Sequence, residues 1–157
     1  MAPCENHSVG MIIELYPAAG PALIVGGGAV AWRKACSLAA ADFRIDVVAP
    51  VVRPELATLR DATVHEREFA ASDVAGHALV FACTDRRDVN QRVGEVARAA
   101  GIPVVVADRG NEGTASTPAV HRSDGLTIAV STSGASPRRA ASVRDAIAER
   151  LATVLDG

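Results

Sequence analysis

The chain has 157 residues, of which 49% are hydrophobic and 22% charged, and its formal net charge is −2. This length gives room for one hydrophobic core, or for one core with a small appendage. The charge lacks the basic excess of nucleic-acid-binding proteins, and no apolar run is long enough for a membrane span, so we expect neither partner.

A glycine-rich segment, residues 22–31, follows a polar stretch, residues 1–10, that we expect to be a flexible tail. An apolar run of strand length ends there in three glycines, and a helical pattern begins directly behind them. Gly26-x-Gly28-x-x-Ala31 fits the dinucleotide-binding fingerprint in its alanine-ended form, which brings a pyrophosphate to a helix N-terminus. Alone the motif is weak, because glycine-rich turns also follow strands for structural reasons.

Strands and helices alternate behind this segment. Apolar periodicity predicts a helix over 30–41, a strand over 43–49, a short helix over 55–60, an edge strand over 64–69, a buried strand over 78–83, a helix from 88 to 101 and a buried strand over 102–107. This order predicts an open, Rossmann-like parallel α/β sheet with helices on both faces. Ligands bind at the carboxyl ends of such strands, where Gly26, Pro50, Thr84 and Asp108 all fall.

The composition changes after about residue 112, and we place a domain boundary there. Residues 1–112 are expected to form the nucleotide-binding domain, and residues 113–157 a small α+β region. That region contains two short strands, 118–122 and 126–130, a Ser- and Gly-rich loop over 131–137 and a helix over about 138–154. Fewer than 50 residues cannot build an independent core, so we expect this region to pack on the first domain or on a second subunit.

Several segments carry a family resemblance that extends from about Met11 to Leu151. They are residues 23–31 with Arg33-Lys34 behind them, residues 47–50, Thr84-Asp85 with Asn90 behind them, residues 106–108, residues 118–119 and residues 126–137. In order and spacing they resemble the NAD-dependent precorrin-2 dehydrogenase family, found alone or as the front module of siroheme synthase. General dinucleotide-binding domains share only the first of these segments.

The resemblance implies a reaction in which precorrin-2, a carboxylate-rich tetrapyrrole, loses a hydride to NAD+ and a proton, giving sirohydrochlorin. It implies that Asp108 is the general base, for which a carboxylate at a strand end near the nicotinamide is suited. Without the resemblance, Asp108 equally fits a cap of the next segment or a pair with Arg109. We expect the cofactor to contact Gly26, Gly27, Gly28, Ala29, Val30, Pro50, Val51, Thr84 and Asp85.

Hydroxyls and backbone N–H groups before the last predicted helix suit the carboxylates of such a substrate. The candidate substrate-binding residues are therefore Ser131, Thr132, Ser133, Gly134 and Arg138. A simple helix cap, which Ser136 could provide alone, explains the same loop.

Two alternative functions are left open, a sirohydrochlorin metal chelatase, with or without the oxidation, and a non-catalytic NAD-binding module. The second predicted strand ends in Ala49-Pro50 instead of an acidic residue for the ribose, so the preference for NAD over NADP rests on the resemblance. No His or Cys spacing predicts a bound metal. Cys36 and Cys83 fit small core residues in a reducing cytoplasm.

The small C-terminal region also predicts a homodimer with exchanged C-terminal segments, because it lacks a core of its own. The family continues into several more helices, which this sequence lacks after Gly157.

Overall fold

A computed structural model describes the backbone of residues 10–155 and the side chains of residues 10–151. The chain divides into two compact units, one of residues 14–116 and one in which residues 117–155 are grouped with residues 10–13. The expected tail, residues 1–10, lies outside the described residues except for Gly10. No helix of the described part is both long and apolar enough to cross a membrane.

The larger unit contains a five-stranded parallel sheet and two α-helices. Its elements are β1 (Ala22–Val25), α1 (Ala29–Ala39), β2 (Ile45–Val48), β3 (Ala62–His65), β4 (Leu79–Ala82), α2 (Arg87–Ala99) and β5 (Val104–Val106). The strand order is β3-β2-β1-β4-β5, and every pairing is parallel. The predicted Rossmann-like fold is therefore confirmed, and the strand order reverses between β1 and β4, where such sheets bind ligands.

The two helices cover opposite faces of the sheet, which explains why strands β1 and β4 are apolar throughout. Ala31 and Ala35 of α1 are fully buried in the same cluster as Ile24 and Phe81. On the other face, α2 contributes Val93 and Ala97 to a second cluster. The small side chain of Ala31 lets α1 approach the sheet closely, as the fingerprint requires.

Two predicted elements of this unit were wrong in detail. The edge strand occupies Ala62–His65 instead of residues 64–69, and the predicted helix over 55–60 is a 3₁₀ helix, Pro54–Thr58. Beyond the edge strand, the guanidinium of Arg67 donates to both carboxylate oxygens of Asp73 at 2.8 Å. The alternating pattern that predicted a longer strand thus continues beyond the residues that pair with β2.

The smaller unit is a hairpin with one helix packed on it. Strands β6 (Ala119–Ser123) and β7 (Leu126–Val130) pair antiparallel, and α3 spans Pro137–Leu155 and contacts both strands. The turn places Asp124 and Gly125 at positive φ, as two-residue hairpin turns require. Among the described side chains from residue 117 to 151, only Ala140 is fully buried.

Candidate functional site

The glycine loop lies at the carboxyl end of β1 and is held between the ends of β2 and β4. Gly26 has a φ of 132°, and a Cβ there would stand 2.5 Å from the carbonyl oxygen of Cys83. A Cβ on Gly27 would collide with the carbonyl oxygen of Val51. These two glycines are therefore required by the fold itself, whether or not a ligand binds.

Gly28 differs from its neighbours because the space beside it is open. A Cβ on Gly28 would meet no atom within 4 Å, and its φ of −92° is accessible to any residue. Gly28 is the N-cap of α1, and it is exposed together with Ala29 and Val30. The first N–H groups of a helix have no partner within the helix. The arrangement therefore fits a phosphate group approaching the backbone at Gly28.

The segment after β2 lies directly against this loop. The backbone N–H of Arg53 donates to the carbonyl oxygen of Gly27 at 3.0 Å. Pro50 and Val51 are exposed beside it, Val51 by 81%. The guanidinium of Arg53 pairs with Glu55 at 2.8 Å, and this hydrogen bond lowers the pKa of the Glu55 carboxyl. One side of the loop is thus flanked by an apolar surface and an internally paired charge.

Thr84 and Asp85 follow the end of β4, on the other side of the glycine loop. The hydroxyl of Thr84 lies 2.9 Å from the carbonyl oxygen of Arg86, whose N–H lies 3.2 Å from that hydroxyl. These bonds form the turn that leads into α2, while Asp85 is exposed. Thr84 therefore has a structural role in this turn, in addition to its position at the proposed cofactor site.

Asp108 follows the end of β5, and its carboxylate has two partners from α2. Oδ1 accepts a hydrogen bond from the amide nitrogen of Asn90 at 3.0 Å. Oδ2 lies 3.6 Å from Nη1 of Arg87, whose other terminal nitrogen pairs with Glu112. The carboxylate of Asp108 is 36% exposed, so it is oriented by the protein and still accessible to a substrate. Among the described residues, Asp108 does not form the ion pair with Arg109 that the sequence also fitted.

A lysine and a cysteine lie behind the loop on the α1 face of the sheet. Nζ of Lys34 is 5.7 Å from the ring centre of Phe81, and burial lowers the pKa of this lysine. Burial raises the pKa of the Cys83 thiol to about 11, against a smaller opposing effect of Lys34. Cys83 is therefore a protonated core residue, as predicted, whereas Cys36 is only partly buried.

The Ser- and Gly-rich loop of the smaller unit is bonded internally. Backbone N–H groups donate to the hydroxyls of Ser131, Thr132 and Ser136 at 3.0 to 3.2 Å. Ser136 receives its bond from the N–H of Arg139 and is the predicted N-cap of α3. Ser133 and Gly134 are at positive φ, and Arg138 is exposed. Substrate binding by this loop stays a prediction. The groups of the loop that could donate to a substrate are the hydroxyl hydrogens and the exposed backbone N–H groups.

Residues of the site that the sequence did not assign are Asn90, Arg87 and Glu112. Asn90 and Arg87 lie at the start of α2, and only the tertiary fold brings them to Asp108. Asn90 belongs to the segments that carry the resemblance, but no role was assigned to it from the sequence, and its place on the apolar face of a helical pattern is the signal of a buried polar contact. Among the described residues, no three His, Cys, Asp or Glu side chains are placed to hold a metal ion.

Two protein-family profiles match the chain. Residues 16–119 match a family described as "Putative NAD(P)-binding", and residues 124–150 match one described as "Sirohaem biosynthesis protein central".

Similar curated proteins are siroheme synthases. That of Ectopseudomonas mendocina (strain ymp) is 42% identical over 125 residues, which cover 79% of this chain and 27% of the relative. That of Thioalkalivibrio sulfidiphilus (strain HL-EbGR7) is 40% identical over 145 residues, covering 86% and 30%. The chain thus spans less than a third of the length of these relatives.

A solved structure titled "SirC, precorrin-2 dehydrogenase" superposes with a TM-score of 0.76 at 24% sequence identity. The match covers 90% of this chain and 71% of that one. At this identity the likeness shows a shared fold.

Proposed function

This chain belongs to the NAD(P)-binding family that recurs in siroheme synthases, and from that membership we propose that it is a precorrin-2 dehydrogenase. The family predicted from the sequence is thereby confirmed, and the reaction proposed is the oxidation of precorrin-2 to sirohydrochlorin in siroheme biosynthesis. The observation that supports it most strongly is the placement of Asp108 at the same sheet edge as the open glycine loop. Phosphate-binding backbone and an oriented carboxylate are the two groups that such an oxidation needs.

In the proposed site, Gly28 and the first N–H groups of α1 hold the pyrophosphate of the dinucleotide. Pro50 and Val51 contact its adenosine side, and Thr84 and Asp85 flank it at the end of β4. The chemistry supplied by bound NAD+ is the acceptance of a hydride from the substrate. Asp108 accepts the proton that leaves the substrate. The two hydrogens that the substrate loses thus leave as a hydride, which NAD+ would accept, and as a proton, which Asp108 accepts.

NAD is proposed over NADP on the charge found beside the glycine loop. A 2′-phosphate needs a basic side chain that is available to it. The guanidinium of Arg53 is bonded to the carboxylate of Glu55, and a glutamate is ionised at neutral pH. This carboxylate would repel a 2′-phosphate, which favours NAD.

Two copies of the chain are proposed to associate through the smaller unit, with exchanged C-terminal segments. Its described side chains bury little of their own surface, and Leu126, Val143 and Ile147 are between 38% and 48% exposed. Large exposed apolar side chains are typical of surfaces that another chain covers.

The loop over 131–137 and Arg138 are proposed to bind the carboxylates of the substrate. The cytoplasm is the proposed compartment, where free thiols such as those of Cys36 and Cys83 persist.

The test is to mix the protein with precorrin-2 and NAD+ without oxygen and to follow the absorbance of NADH and of sirohydrochlorin. We expect both to form together in equal amounts. NAD+ binding without turnover would contradict the proposal in favour of a non-catalytic module. Metal insertion into supplied sirohydrochlorin by a protein that forms no NADH from precorrin-2 would contradict it in favour of a chelatase.

A further inference from the structure

Asn90 is the one polar residue that is fully buried among the described residues, with 1% of its surface exposed. Its amide nitrogen donates to the carbonyl oxygen of Thr84 at 2.9 Å and to Oδ1 of Asp108 at 3.0 Å. Its amide oxygen lies 3.0 Å from the backbone nitrogen and 2.7 Å from the hydroxyl oxygen of Thr84. Three of the four hydrogen-bonding positions of the amide therefore have a partner of their own, and at the fourth the single hydroxyl hydrogen of Thr84 lies between Asn90 and the carbonyl oxygen of Arg86.

These partners fix which way the amide points. The backbone N–H of Thr84 can only donate, so the oxygen of Asn90 must face it, and the nitrogen then faces Asp108. A flipped amide would lose the bonds to Thr84 and would turn an oxygen towards a carboxylate. Asn90 is therefore a hydrogen-bond donor to Asp108 with a single orientation.

The same contacts tie two strand ends to one helix. Asn90 lies in α2 and is bonded to the turn after β4 and to the carboxylate after β5. Because the amide is buried and is held by both backbone groups of Thr84, the position of Oδ1 of Asp108 is set by the core of the larger unit. Oδ2 is the oxygen that remains to accept a proton, with Nη1 of Arg87 3.6 Å away.

We propose that Asn90 is a positioning residue that holds the carboxylate of Asp108 with Oδ2 directed to the substrate. The inference rests on the proposed function, in which Asp108 accepts the proton, and it adds the group that orients this base. Without the N–H of Asn90 the carboxylate rotates about its side-chain bonds and the accepting oxygen is misplaced. A misplacement of about 1 Å lowers a rate on the order of 100-fold.

The variant that tests this is Asn90→Asp, which keeps an oxygen for Thr84 and loses the N–H towards Asp108 and towards the Thr84 carbonyl. Because it also adds a charge beside Asp108, the uncharged Asn90→Ser is measured with it. We expect kcat to fall about 10- to 100-fold, while the KM for NAD+ changes less than about threefold. A purely structural role would lower the melting temperature and leave kcat per folded molecule unchanged. Gln91→Ala is the matched control, because this amide is exposed on the same helix and bonds to Glu95, and it should keep wild-type kcat.

The double variant Asn90→Asp with Asp108→Asn exchanges the two groups, and it separates the effect on the catalytic carboxylate from the effect on stability. It re-forms a carboxylate–amide hydrogen bond, so we expect the melting temperature to recover from that of Asn90→Asp. Its kcat should stay at the level of Asp108→Asn alone, because two residues that act through one group are not additive. If Asn90→Asp does not fold, Asn90→Ser, which is smaller and uncharged, carries the same prediction for kcat.

Suppose that the wild type oxidises precorrin-2 and Asp108→Asn does not. A folded Asn90→Asp protein with wild-type kcat would then overturn the positioning role of Asn90 and leave the proposed function standing. A wild type that binds NAD+ and does not oxidise precorrin-2 would overturn the proposed function and this inference with it.

Discussion

At the start of α1, Gly28 is the residue at which folding and cofactor binding make different demands. Gly28→Asp introduces a favoured N-cap residue into open space, so the free energy of unfolding should stay equal or rise by a few tenths of a kcal/mol. The same carboxylate would occupy the proposed phosphate position and repel the pyrophosphate. We expect NAD+ affinity, measured by calorimetry, to fall on the order of 100-fold.

Gly28→Ser and Gly27→Ala are the comparisons. The first adds a neutral cap and should weaken NAD+ binding less than Asp does. The second forces a Cβ against the carbonyl oxygen of Val51, and we expect it to destabilise the protein by about 1 to 3 kcal/mol. Unchanged NAD+ affinity in a folded Gly28→Asp protein would exclude this loop as the phosphate site.

Glu55 is the residue expected to set the preference between dinucleotides. Glu55→Gln removes the carboxylate that neutralises Arg53, so the guanidinium becomes available to a 2′-phosphate. The ratio of NADP+ to NAD+ affinity should rise severalfold, measured by competitive titration at low salt, since both side chains are solvent-exposed. A ratio that does not change would place the ribose away from this pair.

At the scale of elements, the ion pair between Arg67 and Asp73 closes the loop between β3 and β4. The hydrogen bond from Arg67 lowers the pKa of the Asp73 carboxyl below its usual 3.8. A carboxyl with a lowered pKa in the folded state stabilises the protein above its unfolded pKa, and this contribution is lost as the pH falls below that value.

Asp73→Asn should therefore lower the melting temperature at pH 7, and the difference from wild type should shrink as the pH falls from 3.8 through the lowered pKa of Asp73. Differential scanning calorimetry across this range measures it. Glu66→Gln, which changes an exposed carboxyl on the same loop, is the control, and its melting temperature should stay close to that of wild type across the range. A difference that does not shrink as the pH falls below 3.8 would mean that Asp73 acts through packing.

Strands β1 and β4 could be predicted from sequence because both of their faces are covered and they are therefore apolar throughout. The edge strand was misplaced because its alternation extends to Phe69, and nothing local reveals that Arg67 bonds to Asp73. For the site, local motifs placed Gly28 and Asp108 at strand ends. The contact of Asn90 with Asp108 joins residues 18 positions apart and depends on how α2 lies on the sheet.

At the scale of the whole molecule, the smaller unit determines the proposed association. Val143 and Ile147 are one helical turn apart on α3 and are 41% and 38% exposed. We expect wild type to sediment as a dimer at micromolar concentration, and Ile147→Glu to shift it towards monomer because a charge at a buried contact is costly. Glu149→Gln is the control, and a wild type that sediments as a monomer would contradict the association.

Asp108→Asn tests the proposed chemistry most directly, because it removes the base and keeps an oxygen for Asn90. Wild type and variant are saturated with NAD+ and mixed with precorrin-2 without oxygen, and NADH is followed over a single turnover. We expect equal NAD+ affinity and a rate of NADH formation that is lower in the variant by about 100- to 10,000-fold. NADH formation at the wild-type rate in the variant would contradict the role of Asp108 as the base.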